Sequence, residues 1–322
     1  MPSLRDAYGR TLVELAKTDD RIVVLDADLS KATRSMFMKQ EVPNRYFEMG
    51  IAEGNMVSVA AGLALTGKIS FANSFTTFLI GRAYDQIRVG VALAKTNVKL
   101  VGASSGLSNY GDGATHQSVE DVNMLRALPN ITIIMPADSV ETAKAVKAAA
   151  EWDGPVFIRL PRTDDVPDIL GEDYTFEIGR PKLIREGSDT TIFACGFMVH
   201  KALEAADALA TEGVDVAVVN VSTIKPLDKE VVYLYAQQTG SVVTAEEHSV
   251  IGGLGSAISE ALEDYREIPI VRVGINDQFG QSAPSYEDLL RAYGLTVESI
   301  VKAVRKAMAS KVCNRRVSHI DE

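Results

Sequence analysis

Cysteine is scarce in this sequence: among 322 residues there are two, Cys195 and Cys313, far apart and without CxxC spacing. That pattern builds neither a disulfide framework nor a zinc site, and it fits a reducing cytoplasm. Long apolar runs are lacking as well. The longest, around Val57–Leu65, is too short to span a bilayer, and the opening MPSLRDAYGR has no apolar core of the kind a signal peptide needs. No basic stripe interleaves with aromatics, and 33 Lys+Arg against 43 Asp+Glu leave a formal net charge of −10, which argues against a nucleic-acid partner.

Apolar material is ample: 46% of the residues are hydrophobic, enough for two domains with their own cores. Short β-branched runs, RIVVLDADL (21–29), KISFANS (68–74), VKLVGAS (98–104), ITIIMPA (131–137) and PVFIRLP (155–161), alternate with helical spacing over 3–17, 53–66, 78–94, 118–127 and 139–151. This alternation predicts a parallel sheet covered on both faces by helices, with functional residues in loops at the carboxyl ends of the strands. TDDVPDILGEDYTFEIGRP, acidic and broken by Pro and Gly, reads as a linker, and a second series opens with TTIFACG, VDVAVVNV, SVVTAEE and PIVRVG. The expected fold class is α/β: two consecutive α/β domains with largely parallel sheets covered by helices, at 1–165 and 183–310, joined by a linker at 166–182 and followed by a disordered tail at 311–322.

One carboxylate is out of place. Glu53 sits among Met49, Ile51, Met56 and Val57, and charged side chains are seldom buried unless paired or used. It is either a helix-start carboxylate facing solvent or one held in a dry cleft for a ligand. NYGDGATHQSVED gathers Asp112, Thr115 and His116 in a Gly-bounded loop, where Asp112 can also simply make an Asx-turn. FANSFTTFLIGRAYDQIR places Phe75, Phe78 and Tyr84 at a strand-to-helix junction, as core or as a stacking surface for a flat heterocycle. Asp26 and Asp28, after the first strand, can meet a partner loop or cap the next segment. IGGLGSAISE lacks the Lys of a phosphate loop and reads as close helix–strand packing.

Their order is more specific than any one of them. FEMGIAEGNM, then SFTTFLIGRAYDQIR, then GDGATHQSVEDVNMLRALPNITIIMPAD, then GPVFIRLPR, then EEHSVIGGLGSAISE resembles the pyrimidine-binding and C-terminal domains of transketolases, from about Arg5 to about residue 310. By that resemblance Glu53 hydrogen-bonds N1′ of the aminopyrimidine of thiamine diphosphate and promotes loss of its C2 proton. Phe78 stacks on the pyrimidine, Tyr84 flanks it, and Asp28 joins them at the cofactor. Asp112 and His116 meet the hydroxyls and reacting end of a ketose, His116 as a catalytic residue beside Glu53. Arg162 and Arg5 hold the sugar phosphate, a task suited to planar, bidentate donors. The sequence departs from the family at Gly81, where a further aromatic is usual, at Ala32, where a phosphate-binding serine is usual, and at Ser104 and Ser105, which replace a His-Asp pair.

The resemblance starts at the pyrimidine domain. It therefore implies the small subunit of a split transketolase, working with an N-terminal transketolase subunit whose diphosphate-binding domain also holds Mg2+ or Ca2+. It further implies a self-associated dimer within a heterotetramer, and transfer of a two-carbon ketol unit between sugar phosphates. The β subunit of a 2-oxo acid dehydrogenase and a 1-deoxyxylulose-phosphate synthase are the enzymatic rivals. A non-catalytic scaffold subunit would need none of Glu53, Phe78, Asp112, His116 and Arg162.

Overall fold

Runs of Val, Ile and Phe become the strands of two sheets, and the segments with helical spacing pack across them. The computed structural model describes residues 3–163, 166–265 and 267–318. The first sheet contains β1 (Ile22–Asp26), β2 (Tyr46–Glu48), β3 (Ile69–Phe75), β4 (Val98–Ala103), β5 (Thr132–Ile134) and β6 (Val156–Arg159). The second contains β7 (Lys182–Arg185), β8 (Thr190–Ala194), β9 (Val216–Asn220), β11 (Val242–Ser249) and β12 (Ile270–Ile275), while β10 (Thr223–Lys225) leaves its neighbours in sequence and joins the first. The orders are β10-β5-β6-β4-β3-β1-β2 and β12-β11-β8-β9-β7. Each sheet is parallel except at one edge, where β10 runs antiparallel to β5 and β7 antiparallel to β9. The expected pair of largely parallel α/β units is thus what the chain forms.

Alternation along β1 shows how the first sheet is buried on both faces. Val23 and Leu25 pack with Met56, Val57 and Ile87 of the helices Glu53–Leu65 and Ile87–Leu93, whereas Ile22 and Val24 pack with Leu4, Tyr8, Ala145 and Val146 of Leu4–Thr18 and Ser139–Glu151. The latter two helices start on side-chain caps, Ser3 accepting from the Asp6 N–H and Asp138 from the Glu141 N–H. The two units also share a core. Phe193, Val219, Val221 and Leu254 of the second belong to the same apolar cluster as Val98, Leu125 and Ile133 of the first.

Three details differ from the sequence reading. The helix expected over 78–94 is broken into Thr76–Arg82, Tyr84–Gln86 and a wide-turned π-helical segment, Ile87–Leu93. The short strands β2, β7 and β10 were not anticipated. The tail expected to be irregular from 311 is helical as far as Ser318, continuing the helix that begins at Val297, and residues 319–322 lie outside the described residues. Among the described residues no helix is long and apolar enough to cross a membrane.

Candidate active site

In the first sheet the chain passes from β1 outward to β2, then returns to the other side of β1 for β3 and β4. The strand order therefore reverses at β1, and a crevice opens at the carboxyl ends of the strands beside it. Ala27–Leu29 follow β1, Glu53 opens the helix after β2, and Phe78 and Arg82 lie on the helix after β3. Together with Ile51, Thr115 and His116 they line a cavity of about 360 Å3.

Asp26 shapes the first of these segments. Its carboxylate accepts from the Leu29 N–H (2.6 Å), Thr33 Oγ1 (2.7 Å) and Ser35 Oγ (2.8 Å), and burial pushes it up to about 6 against those bonds. The turn it organises carries Asp28 in the left-handed region (φ 62°), its N–H donating to Glu48 Oε1 at 2.9 Å. Asp28 is exposed at the cavity.

Glu53 is buried, 3% exposed, in the first turn of its helix, where the amide dipoles favour negative charge. The helix-start carboxylate facing solvent is therefore excluded. Its ion-pair partner is Arg82, whose Nη1 lies 3.0 and 3.2 Å from the two carboxylate oxygens, and Ser74 Oγ donates to Oε1 at 3.5 Å. The same guanidinium rests 4.1 Å from the centre of the Phe78 ring. Phe78 in turn meets His116 edge-on, with ring centres 5.1 Å apart, and His116 Nδ1 pairs with Thr115 Oγ1 at 2.9 Å. One cavity thus contains a buried carboxylate, an aromatic face, an imidazole and a mostly apolar wall. Such a set takes a flat heterocycle that can share a proton with the carboxylate.

Asp112 is elsewhere. The loop bends at Gly113 (φ 75°), whose carbonyl accepts from both the His116 and Gln117 N–H groups. His116 consequently faces the first cavity, while Asp112 lines a second one of about 400 Å3 with Asn109, Tyr110, Arg162, Arg5 and Tyr286. Arg162 is fixed there by Asn109 Oδ1 at 2.5 Å and Asp112 Oδ2 at 3.2 Å, and its own N–H donates to Ser108 Oγ at 2.8 Å. Arg5, 5% exposed, spends donors on the carbonyls of Ala32 (2.8 Å) and Arg162 (2.7 Å), so it braces the two segments that border the cavity. Ser104 and Ser105 are buried, and Ser104 has φ 55°.

Tyr84 does not line either cavity. Its hydroxyl donates to the Met124 carbonyl at 3.2 Å and its ring packs on the core. Six residues past Phe78, it would lie about 120° round an ideal helix from it. A Cβ built at Gly81 would meet nothing within 4 Å, so the departure there leaves open space. Arg82, Asn109 and Tyr286 were not singled out from sequence. For Arg82 a signal existed, since it follows Phe78 by four residues and must share its helix face. Among the described residues no group of three or more His, Cys, Asp or Glu could hold a metal ion.

Comparison with known proteins finds relatives over nearly the whole chain. The family model described as transketolase, pyrimidine binding domain, matches residues 1–165, and that of the transketolase C-terminal domain matches 179–300. A putative transketolase C-terminal section of Methanocaldococcus jannaschii is 44% identical over 95% of this chain and 96% of its own length. A 6-deoxy-6-sulfo-D-fructose transketolase subunit of a Clostridium species is 46% identical, covering 96% of this chain and 95% of that protein. A solved structure described as a split gene transketolase, inactive beta4 tetramer, superposes with a TM-score of 0.87 at 46% identity, over 96% of this chain and 99% of that one.

Proposed function

The chain belongs to the transketolase family, and from that premise we propose that it is the pyrimidine-binding subunit of a split, thiamine diphosphate-dependent transketolase, carrying a two-carbon ketol unit from a ketose donor to an aldose acceptor. The observation that carries the reading is the pairing of Glu53, nearly inaccessible to water, with the Phe78 face in one cavity. When bound, thiamine diphosphate supplies the nucleophilic carbon that takes up the two-carbon unit. Glu53 would hold the ring nitrogen of its pyrimidine and share a proton there, with Phe78 against the ring face and Asp28 at the cavity mouth. His116 is positioned to hydrogen-bond a substrate oxygen on which charge develops. Asp112 would accept from sugar hydroxyls, and Arg162, with Arg5 behind it, would receive the anionic end of the sugar. A phosphate and a sulfonate both offer that fork three oxygens, so the relative named for a sulfo-sugar is compatible with the same subsite.

Diphosphate and a divalent cation, Mg2+ or Ca2+, are assigned in this reading to a partner subunit. Support comes from full-length relatives named as a section and as a subunit. Self-association is supported by an exposed apolar face, on which Val59, Leu65, Val89 and Leu93 of Glu53–Leu65 and Ile87–Leu93 point outward. Glu53→Gln tests the reading. It keeps shape and removes the exchangeable proton, so deuterium exchange at C2 of thiamine diphosphate in the two-subunit complex should slow by roughly 10²–10⁴. An unchanged rate would remove Glu53 from the chemistry.

A further inference from the structure

The second unit reaches the substrate loop through one buried carboxylate. Glu246 and Glu247 are neighbours on β11 and point to opposite faces. Glu246 turns inward to its own unit, accepting from the N–H groups of Leu254 (2.6 Å) and Gly255 (2.8 Å) at the start of the helix Leu254–Ala261. Glu247 turns toward the first unit. Its Oε1 accepts from the Leu107 N–H at 2.6 Å, and its Oε2 from the Tyr286 hydroxyl at 2.7 Å.

Leu107 lies at the root of the loop that carries Asp112 and His116, and Tyr286 is itself a wall of the cavity that Asp112 and Arg162 line. The approach is close enough to exclude a side chain at Gly106, where a Cβ would stand 2.4 Å from Glu247 Oε1 and φ is +62°. Further along, the Ala283 N–H donates to the Tyr110 carbonyl (3.0 Å) and Gln117 Nε2 to the Gln281 carbonyl (3.0 Å). At the far end of the loop the Ser249 N–H donates to the Val119 carbonyl (2.8 Å). Beneath it Arg159 and Asp121, both buried, are paired at 2.7 Å, and Arg159 Nη2 also donates to the Glu247 carbonyl at 3.2 Å.

We infer that the second unit is a working part of the substrate cavity, with Glu247 a positioning residue that fixes the 106–117 loop and the Tyr286 wall against each other and so sets the distance between Asp112 and Arg162. This rests on the transketolase reading for its substrate. It assigns the second unit a role in donor binding as well as in association. Burying a carboxylate is costly, and here burial raises Glu247 to about 6. The Leu107 N–H and the Tyr286 hydroxyl, held by one acceptor, offset that cost and tie the loop to the cavity wall.

Two arms test this. In the complex with a diphosphate-binding subunit, Glu247→Ala should raise KM for an anionic ketose donor about tenfold or more, change kcat by less than about threefold, and leave KM for hydroxypyruvate, too short to reach Arg162, nearly unchanged. Glu247→Gln, which still offers Leu107 an acceptor, should restore KM to within about threefold of wild type, and Tyr286→Phe should fall between the two. Equal losses on both donors, or a fall in kcat alone, would overturn the assignment. The second arm needs no turnover: hydrogen exchange of this chain alone should be about tenfold faster across 106–117 in Glu247→Ala, with β1 and β3 unchanged. Unchanged exchange in the loop would overturn the assignment too. A wild-type complex without ketol transfer would instead overturn the transketolase reading and leave the exchange arm to decide for Glu247. Should Glu247→Ala not fold, Tyr286→Phe carries both arms, with KM for the anionic donor raised about three- to tenfold and exchange across 106–117 about threefold faster; wild-type values in either arm would overturn the assignment.

Discussion

Arg82 Nη1 stands 3.0 and 3.2 Å from the two carboxylate oxygens of Glu53, one side chain half exposed and the other nearly sealed from water. A carboxylate buried to that extent is tolerable because it is paired, yet the pair is open to solvent on the arginine side, which weakens it. Removing Arg82 should strand the charge. Arg82→Ala is expected to lower unfolding free energy by about 1–2 kcal/mol, and the loss should shrink in a Glu53→Gln background, with a coupling of about 1 kcal/mol in a double-mutant cycle. Urea unfolding of the four proteins measures this. Strictly additive losses would mean that the two groups do not support each other.

Arg162 is held open toward its cavity by Asn109 and Asp112 rather than consumed by them, its side chain remaining 42% exposed. Arg162→Ala should weaken a phosphorylated or sulfonated donor by about 1.5–3 kcal/mol in kcat/KM, almost all of it in KM, and should affect hydroxypyruvate far less. Steady-state kinetics on paired donors separates these outcomes. Equal losses on both donor types would show that Arg162 does not read the phosphate or sulfonate end.

Lys99 gives a test of the fold independent of function. Its ammonium is buried at the start of the β4 strand, donating to the carbonyls of Trp152 (2.6 Å) and Gly154 (2.7 Å), and burial lowers it to about 7 from an ordinary 10.5. Between those values the folded chain binds fewer protons than the unfolded one, so this residue's contribution to stability rises with pH through that window and is lost as pH falls through it. From about pH 7 to about pH 9 the gain should be about 2–3 kcal/mol in wild type and absent in Lys99→Met. Chemical unfolding at the two pH values decides it, and parallel slopes in the two proteins would contradict the buried, easily deprotonated lysine.

Local pattern carried much of this fold. The apolar runs behind β1, β3, β4 and β6 could be read directly, and Glu53 stood out among Met, Ile and Val, though the stretch alone fitted a solvent-facing helix start as well as a dry cleft. Pairings made over long distances were not legible. β10 leaves the second unit to close the edge of the first sheet, and no periodicity in three residues announces that. Nor did the motif GDGATHQ reveal that the turn at Gly113 sends Asp112 and His116 to different cavities. Arg82 could have been found from its spacing to Phe78, and the same reasoning would have kept Tyr84 out of the cavity. Glu247 and Tyr286 were beyond reach, because their importance lies in what the second unit touches.

The central claim is that this chain supplies one half of a two-chain site. The most direct measurement is ketol transfer and thiamine diphosphate affinity of the purified chain, with and without divalent cation, before and after adding a subunit that carries the diphosphate-binding domain. Alone, the chain should bind the cofactor weakly and turn over no substrate, because in this reading the diphosphate and the cation are held by the partner subunit. Mixed, it should form a complex with two copies of each subunit and gain cation-dependent activity. Robust magnesium-dependent ketol transfer by the isolated chain would contradict the claim.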